Sequence, residues 1–190
     1  MNKYKIIALI GEAGSGKDTL LKEILKEYPN LHEIISCTTR PPREGEKHRQ
    51  NYFFLTDEEF HKKVENNEML ESTAFRNWFY GTSFDSLDNT TTNVGVFNPD
   101  GIYALLKYPN IDVDIYYVRA SAKTRLLRQL QRESYPDVNE IVRRYMTDLE
   151  DFSNLKFKYT NVINENQEDL KRAIKRIMFS LEPWEDTGQN

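Results

Sequence analysis

The chain has little cysteine, little net charge and no long apolar run, and each shortage excludes a class of protein. Cys37 is the one cysteine among 190 residues, so an intramolecular disulfide is impossible and a reducing compartment, the cytoplasm, is expected. The formal net charge of −4 argues against a general nucleic-acid or anionic-membrane surface. The apolar residues near the amino terminus predict a first strand rather than a secretory signal, and no stretch predicts a membrane span.

Residues 6–19 carry the pattern around which the chain is organised. Residues 6–10 form an apolar run short enough for a buried strand, and apolar side chains recur at helical spacing over residues 19–27. Between them, Gly11 to Lys17 read G-x-x-x-x-G-K, and a strand, such a loop and a helix in this order predict a phosphate-binding loop. Its backbone N–H groups and the lysine would hold phosphates. The alternative is a glycine-rich turn without function.

Strands and helices alternate along the rest of the chain, which predicts a parallel sheet with helices on both faces and ligands at the carboxyl ends of the strands. Thr56 and Glu59 form a capping box at the start of one helix. A block of short strands around that helix, residues 36–83, interrupts the alternation and is expected to be an inserted cap over the phosphate loop. The pattern further predicts strands at 32–36, 93–98, 111–118 and 161–163, a turn at 99–101, and helices at 102–107, 122–131, 138–152 and 167–181.

Two arginines flank a pair of prolines at the start of the inserted block. Arg40 and Arg43 would emerge from a stiff turn, a good geometry for gripping one phosphate with two planar guanidinium groups. Composition alone supports a solvated basic loop equally well.

Several segments appear in the order found in guanylate kinases, and the chain resembles that family over nearly its whole length. The phosphate loop is followed by S-C-T-T-R-P-P-R-E-G-E from Ser36, N-Y-F-F from Asn51, N-E-M-L-E from Asn67 and Y-G-T from Tyr80. The resemblance implies an α/β fold of the P-loop type with three layers, α/β/α. It would have a central parallel sheet, an inserted mixed α+β region that binds GMP, and a helical lid.

The resemblance also implies a division of labour within one domain, 1–190. The core would comprise 1–35, 84–120 and 152–182, the insert 36–83, and the lid about 121–151. ATP would be bound by Gly11, Glu12, Ala13, Gly14, Ser15, Gly16, Lys17, Asp18, Thr19 and Asn164. GMP would be bound at its phosphate by Arg40, Arg43, Tyr52 and Tyr80, and at its base by Ser36, Glu71, Thr82 and Asn98.

The chemistry of guanine gives Glu71 a role that can be argued from the base itself. Guanine presents two adjacent donors, N1–H and the 2-amino group, and one carboxylate accepts both. Adenine presents an acceptor at N1, so a site built on these hydrogen bonds rejects it. Without the resemblance, Glu71 would be read as an exposed strand residue.

Three arginines at helical spacing mark the lid. Arg125, Arg128 and Arg132 share one helix face, and Arg144 lies on the following helix. Phosphoryl transfer needs cations around the migrating group. By position in the family, Arg128, Arg132 and Arg144 would act with Lys17 as the catalytic clamp, while Arg125 is left open. The alternative is a solvated helix face.

The chain departs from the family pattern at the metal site. Val96 and Asn98 occupy a strand that usually carries acidic residues, and Asp18 occupies the loop position of a Ser or Thr hydroxyl. We expect that the carboxylate has changed places and that Asp18 binds the Mg²⁺ that accompanies ATP. A role as a helix cap is the alternative for Asp18.

The favoured activity is ATP-dependent phosphorylation of GMP or dGMP, yielding the diphosphate and ADP. The alternatives are a non-catalytic guanylate-kinase-like interaction module and a kinase for another small phosphorylated substrate. The retained Lys17 and lid arginines oppose the first alternative, and Ser36, Glu71 and Tyr80 oppose the second. We expect a monomer or homodimer in the cytoplasm, with ATP and GMP or dGMP as ligands and neither nucleic acid nor membrane as a partner.

Overall fold

The computed structural model describes residues 4–42, 45–75, 77–132 and 134–181, which contain nine strands, six α-helices and one short 3-10 helix (Phe84–Ser86). The strands are β1 (Tyr4–Ile10), β2 (His32–Glu33), β3 (Cys37–Thr38), β4 (Phe53–Phe54), β5 (Met69–Phe75), β6 (Trp78–Ser83), β7 (Thr92–Val96), β8 (Ile111–Arg119) and β9 (Thr160–Ile163). The helices are α1 (Lys17–Glu27), α2 (Asp57–Glu65), α3 (Pro99–Leu105), α4 (Ala122–Gln131), α5 (Val138–Asp151) and α6 (Gln167–Phe179).

Five strands form the core sheet, whose order is β2-β7-β1-β8-β9 and whose pairings are all parallel. The central strand β1 is apolar on both faces, as a strand covered on both sides must be. Ile7 and Leu9 pack in the cluster that includes α1 and α6, whereas Ile6, Ala8 and Ile10 pack in the cluster that includes α3. The predicted central parallel sheet between helical layers is confirmed.

A second sheet of order β4-β3-β6-β5 lies in the inserted block and mixes parallel and antiparallel pairs. Helix α2 packs on it through Phe60, whose ring stacks on Phe79 with centroids 5.5 Å apart. The capping box that opens α2 is present: Glu59 N donates to Thr56 Oγ1 at 3.1 Å and Thr56 N donates to Glu59 Oε2 at 2.8 Å. The mixed α+β insert is therefore also confirmed.

Several local boundaries differ from the expectation by a few residues, and two of the differences have a clear physical reason. The predicted turn at 99–101 is wrong, because Pro99 begins α3 and Asn98 Oδ1 caps the helix by accepting from Gly101 N at 2.7 Å. Proline is favoured in the first helical turn, where its missing N–H costs nothing. Strand β2 is shorter than 32–36, because the chain leaves the core sheet after Ile34 and Cys37 already pairs in the second sheet.

The carboxyl ends of the core strands meet at one edge of the sheet, and the segments that follow them lie together there. Ile10 leads into the glycine loop, Arg119 into the start of α4, and Ile163 into Asn164. Asn164 N donates to Arg119 O at 2.8 Å, which ties two of these exits to each other. Among the described residues, no helix is both long and apolar enough to cross a membrane.

Candidate active site

The phosphate loop lies between β1 and α1, and its glycines are required by close approach of other elements. Gly14 and Gly16 have φ angles of 79° and 88°, which side-chain-bearing residues rarely adopt. A Cβ atom would lie 2.4 Å from Arg125 O at Gly14 and 2.3 Å from Asn164 Nδ2 at Gly16. The loop is therefore pressed against α4 on one side and against the end of β9 on the other.

Two side chains from distant segments hold carbonyl groups of the loop. Asn164, which is 4% exposed, donates from Nδ2 to Ser15 O at 2.9 Å. Arg128 donates from Nη1 to Gly14 O and Ser15 O at 3.3 and 3.2 Å, and from Nη2 to Glu165 O at 3.1 Å. Both residues therefore hydrogen-bond to the backbone of the loop and hold it in place. Arg128, which is expected to act at the ATP phosphates, is bonded to the loop itself.

Arg125, which the family pattern left open, forms part of a buried ion pair. Its Nη1 lies 3.5 Å from Glu12 Oε1, and its guanidinium carbon lies 5.2 Å from the centroid of the Tyr145 ring. Arg125 is only 4% exposed. The ion pair therefore links the loop to α4, and the ring contact links Arg125 to α5. Removing either charge would leave the other buried without its partner.

Asp148 of α5 also contacts the loop, and sequence reasoning missed it. Its Oδ2 accepts a 2.7 Å hydrogen bond from the backbone N–H of Ala13. Burial raises the pKa of the Asp148 carboxyl, while the Ala13 N–H and the charge of Lys17 act in the opposite direction. One signal could have found it: Glu140, Arg144 and Asp148 are spaced by four residues and so share one face of α5.

The remaining lid arginines lie around a cleft between α4 and α5. Arg144 Nε donates to Glu140 Oε1 and Arg143 Nε donates to Glu140 Oε2, both at 2.8 Å. The hydrogen bond from Arg143, joined by that from Arg144, lowers the pKa of Glu140 to about 2. Arg132 is exposed at the end of α4. The cleft is lined by Gln129, Arg132, Pro136, Asp137, Glu140, Ile141 and Arg144.

The expected base-binding residues of the inserted sheet do lie together. Thr82 Oγ1 donates to Glu71 Oε1 at 2.8 Å, and Ser36 Oγ lies 3.4 Å from the same hydroxyl. Burial raises the pKa of the Glu71 carboxyl, and the bond from Thr82 opposes that rise. A Cβ atom at Gly101 would lie 3.7 Å from the Glu71 carboxyl carbon, so the group faces the start of α3. Asn98 is beside it, with its side chain engaged in the helix cap.

The expected phosphate-binding residues of the insert are gathered around Arg40, which is 6% exposed. Its guanidinium forms a bidentate pair with Glu46, at 2.8 and 3.0 Å, and lies over the rings of Tyr52 and Phe54. The Tyr52 and Tyr80 ring centroids are 6.4 Å apart. Glu46 is a partner that sequence reasoning did not anticipate. Arg43 lies outside the described residues.

The donor set at the metal position is small. Asp18 is exposed in the first turn of α1, Val96 ends β7, and the described residues contain no cluster of three or more acidic, histidine or cysteine side chains. Burial raises the pKa of Tyr52 in the inserted block, and the negative charge of Asp18 adds to that rise. A single carboxylate fits Mg²⁺, because this ion retains several waters and takes its other ligands from phosphates.

The geometry defines a class: an α/β protein with a P-loop that contacts an arginine-bearing pair of helices and with a second, mixed sheet in an inserted block. The family model described as "Guanylate kinase" matches residues 3–181. The chain belongs to the guanylate kinase family.

Known relatives agree with this assignment over most of their length. The chain is 34% identical to the guanylate kinase of Thermotoga maritima over 182 residues, which cover 94% of this chain and 87% of that protein. It is 30% identical to the guanylate kinase of Chlamydia felis over 185 residues, covering 94% and 89% of the two chains. The crystal structure of guanylate kinase from Anaplasma phagocytophilum superimposes with a TM-score of 0.68 at 20% identity, covering 95% of this chain and 86% of that one. That last match bears on the fold alone.

Proposed function

We propose that this chain transfers the terminal phosphoryl group of ATP to GMP or dGMP and releases ADP. The observation that carries the proposal is the half-buried Glu71 carboxylate, which accepts from Thr82 beside Ser36 on the inserted sheet. Such a carboxylate matches the two adjacent donors of guanine. Their arrival would offset the cost of burying the charge, which an adenine ring could not do.

The residues divide into two binding sets. The loop N–H groups and Lys17 would hold the phosphates of ATP, with Asn164 and Arg128 keeping the loop in shape. Arg40 would bind the phosphate of GMP, together with Tyr52, Tyr80 and Arg43. In the structure the Arg40 guanidinium donates to both carboxylate oxygens of Glu46. The substrate phosphate would replace Glu46 in this bidentate contact.

Transfer itself would depend on positioned charge. Lys17, Arg128, Arg132 and Arg144 would surround the migrating phosphoryl group, because its negative charge is what the protein must stabilise. Arg128 and Arg144 would exchange their present partners for phosphate oxygens. Mg²⁺ would be held by Asp18 and would neutralise charge on the ATP phosphates when bound.

We further propose that the insert 36–83 and the lid 121–151 move as units on the core formed by 1–35, 84–120 and 152–182. The insert has its own sheet, and α4 and α5 together form the lid. The enzyme would act as a monomer or homodimer in the cytoplasm, where its one thiol stays reduced.

A coupled assay of ADP release across GMP, dGMP, AMP, CMP and UMP tests the activity. We expect GMP or dGMP to be used far better than the other three. A pure, folded protein that transfers phosphate to none of them would favour a non-catalytic interaction module. Equal use of AMP and GMP would show that Glu71 does not select the base.

A further inference from the structure

A carboxylate from the lid occupies part of the anion-binding surface of the phosphate loop. Asp148 Oδ2 accepts the Ala13 N–H at 2.7 Å, and Ala13 is the third residue of the G-x-x-x-x-G-K segment. The N–H groups of such a loop are the donors that a phosphate uses. A negatively charged side chain on one of these donors therefore stands where a ligand of the same sign is expected.

The charges around Asp148 also indicate that its carboxylate lies where an anionic ligand is expected. Lys17 at the start of α1 and Arg125 of α4 attract the carboxylate, while Glu12 of the loop repels it. The same lysine is the cation expected to reach the ATP phosphates. The Ala13 N–H and the charge of Lys17 would therefore serve either the Asp148 carboxylate or the phosphates of a ligand. Each of these two anions would interact with them more strongly when the other is absent.

We propose that Asp148 is an internal competitor of the ATP phosphates and that it sets the affinity of the loop for nucleotide. The proposal rests on the proposed function in one respect, namely that this loop binds the phosphates of ATP. Binding would then require Asp148 to leave Ala13. Arg144 lies one helical turn before Asp148 on the same face of α5. The release of Asp148 from Ala13 would therefore be linked to movement of Arg144.

The matched variants are Asp148→Asn and Asp151→Asn. The amide keeps the shape of Asp148 and can still accept from Ala13, but it loses the charge that competes with phosphate. Asp151 is an exposed carboxylate three residues later on the same helix, so its variant controls for a change in net charge. Isothermal titration calorimetry would measure the Kd of magnesium-free ATP, of MgATP and of inorganic tripolyphosphate for both variants and the wild type.

We expect Asp148→Asn to bind tripolyphosphate and ATP about fivefold more tightly than the wild type, since a charged hydrogen bond gives way to a neutral one. Its melting temperature without ligand should not fall, because burial raises the pKa of the Asp148 carboxyl and the neutral amide removes the cost of burying that charge while it can still accept from Ala13. Tighter binding without a loss of stability distinguishes competition from a purely structural role, in which the substitution would lower both the affinity and the melting temperature. Asp151→Asn should change neither.

Several results would overturn the proposal. Equal affinities of the wild type and Asp148→Asn would remove the competition while leaving the proposed function intact. Weaker MgATP binding by Asp148→Asn would mean that the carboxylate assists the nucleotide. If neither ATP nor tripolyphosphate binds any of the three proteins, the proposed function fails together with the inference.

A measurement on the wild type is independent of whether the variant folds. The ¹³C resonance of the Asp148 carboxyl group and the amide resonance of Ala13 would be followed during titration with tripolyphosphate. Both should move to new positions at saturation, because the hydrogen bond between them is broken. A saturated complex in which the Asp148 carboxyl resonance has not moved would contradict the displacement.

Discussion

The phosphate loop follows a strand of the core sheet, whereas the group expected to bind guanine (Ser36, Glu71 and Thr82) belongs to the inserted block, and the two sheets are stabilised by different means. The core sheet is secured by burial: residues Ile6 to Ile10 of β1 are all fully buried. The inserted sheet contains two strands of only two residues and uses side chains to complete its pairing. Thr38 Oγ1 donates to Phe79 O, and Phe79 N donates to Thr39 Oγ1, both at 3.0 Å.

The difference teaches where function and stability can be separated. On the loop side the ligand would meet backbone N–H groups whose shape comes from the packed core, so one side chain can be removed without loss of the fold. In the inserted block the groups expected to bind guanine are side chains that also hydrogen-bond to one another. There, a substitution should disturb recognition and local order together.

The largest effect is expected from Lys17→Ala, which removes a charge from the phosphate loop without disturbing the packing of the core. Turnover should fall about a thousandfold, since a positioned charge on the phosphates is lost. The melting temperature should change little. ADP release and thermal melting would be compared with Lys22→Ala, an exposed lysine of the same helix. A loss of turnover below tenfold would contradict the role of Lys17.

The next effect concerns Glu71→Gln on the guanine side. The amide keeps one acceptor and places a donor against a guanine donor, so kcat/KM for GMP should fall about fiftyfold. Use of AMP should not rise to the level of wild-type GMP. Glu68→Gln, at a carboxylate that instead bonds to Lys63, is the matched control and should retain GMP use. A Glu71→Gln enzyme with unchanged specificity would remove Glu71 from the base site.

Asp18→Asn tests the metal position between the two regions. The Mg²⁺ concentration for half-maximal turnover should rise about tenfold, because an amide is a poor ligand for this ion. Stability without nucleotide should be nearly unchanged, since Asp18 is exposed in the first turn of α1 and the amide loses only a solvent-screened interaction with the helix dipole. Asp57→Asn, in the first turn of α2, is the control. An unchanged magnesium titration would assign Asp18 a capping role instead.

The smallest effect is expected in the lid, from Glu140→Gln. The folded pKa of Glu140 is about 2, below the ordinary value, so its ionised form stabilises the fold above roughly pH 4.5 and this contribution is lost as the pH falls toward 2. Partial exposure of Arg143 and Arg144 limits the loss on substitution to about 1 kcal/mol at pH 7.

Urea unfolding at pH 7 and pH 3 would measure this loss. The difference between Glu140→Gln and the wild type should narrow at the lower pH, where the wild-type carboxylate becomes protonated in the unfolded state. Glu150→Gln, an exposed position on the same helix, should show no such dependence. A difference that is constant with pH would exclude the ion pairs as its cause.

Sequence reasoning succeeded where a pattern is short and carries its own geometry. The loop from Gly11 to Lys17 and the capping box of Thr56 and Glu59 were predicted because every residue involved is a near neighbour in the chain. The proximity of Ser36, Glu71 and Thr82 was expected only through the resemblance to a family. No spacing rule links three residues on different strands.

The same reasoning did not predict the partners that two polar side chains have in the structure, and their expected roles at the ligands stay predictions. Asn98 was assigned to the guanine base, and the structure engages its side chain at the start of α3. Arg128 was assigned to the migrating phosphoryl group, and it contacts loop carbonyls in the structure. A polar side chain near a site can bind either a ligand or a backbone group of the protein. Composition alone does not show which of these partners it takes.

The amino-acid sequence by itself determined the order of the strands and helices, the buried β1 and the glycine loop, because burial periodicity and backbone freedom are local properties. Only the tertiary structure decided which polar groups meet. Asp148 and Ala13 are 135 residues apart, and Asn164 and Ser15 are 149 apart. Contacts at such separations depend on how α5 and the end of β9 pack at the edge of the core sheet, and no local pattern encodes that packing.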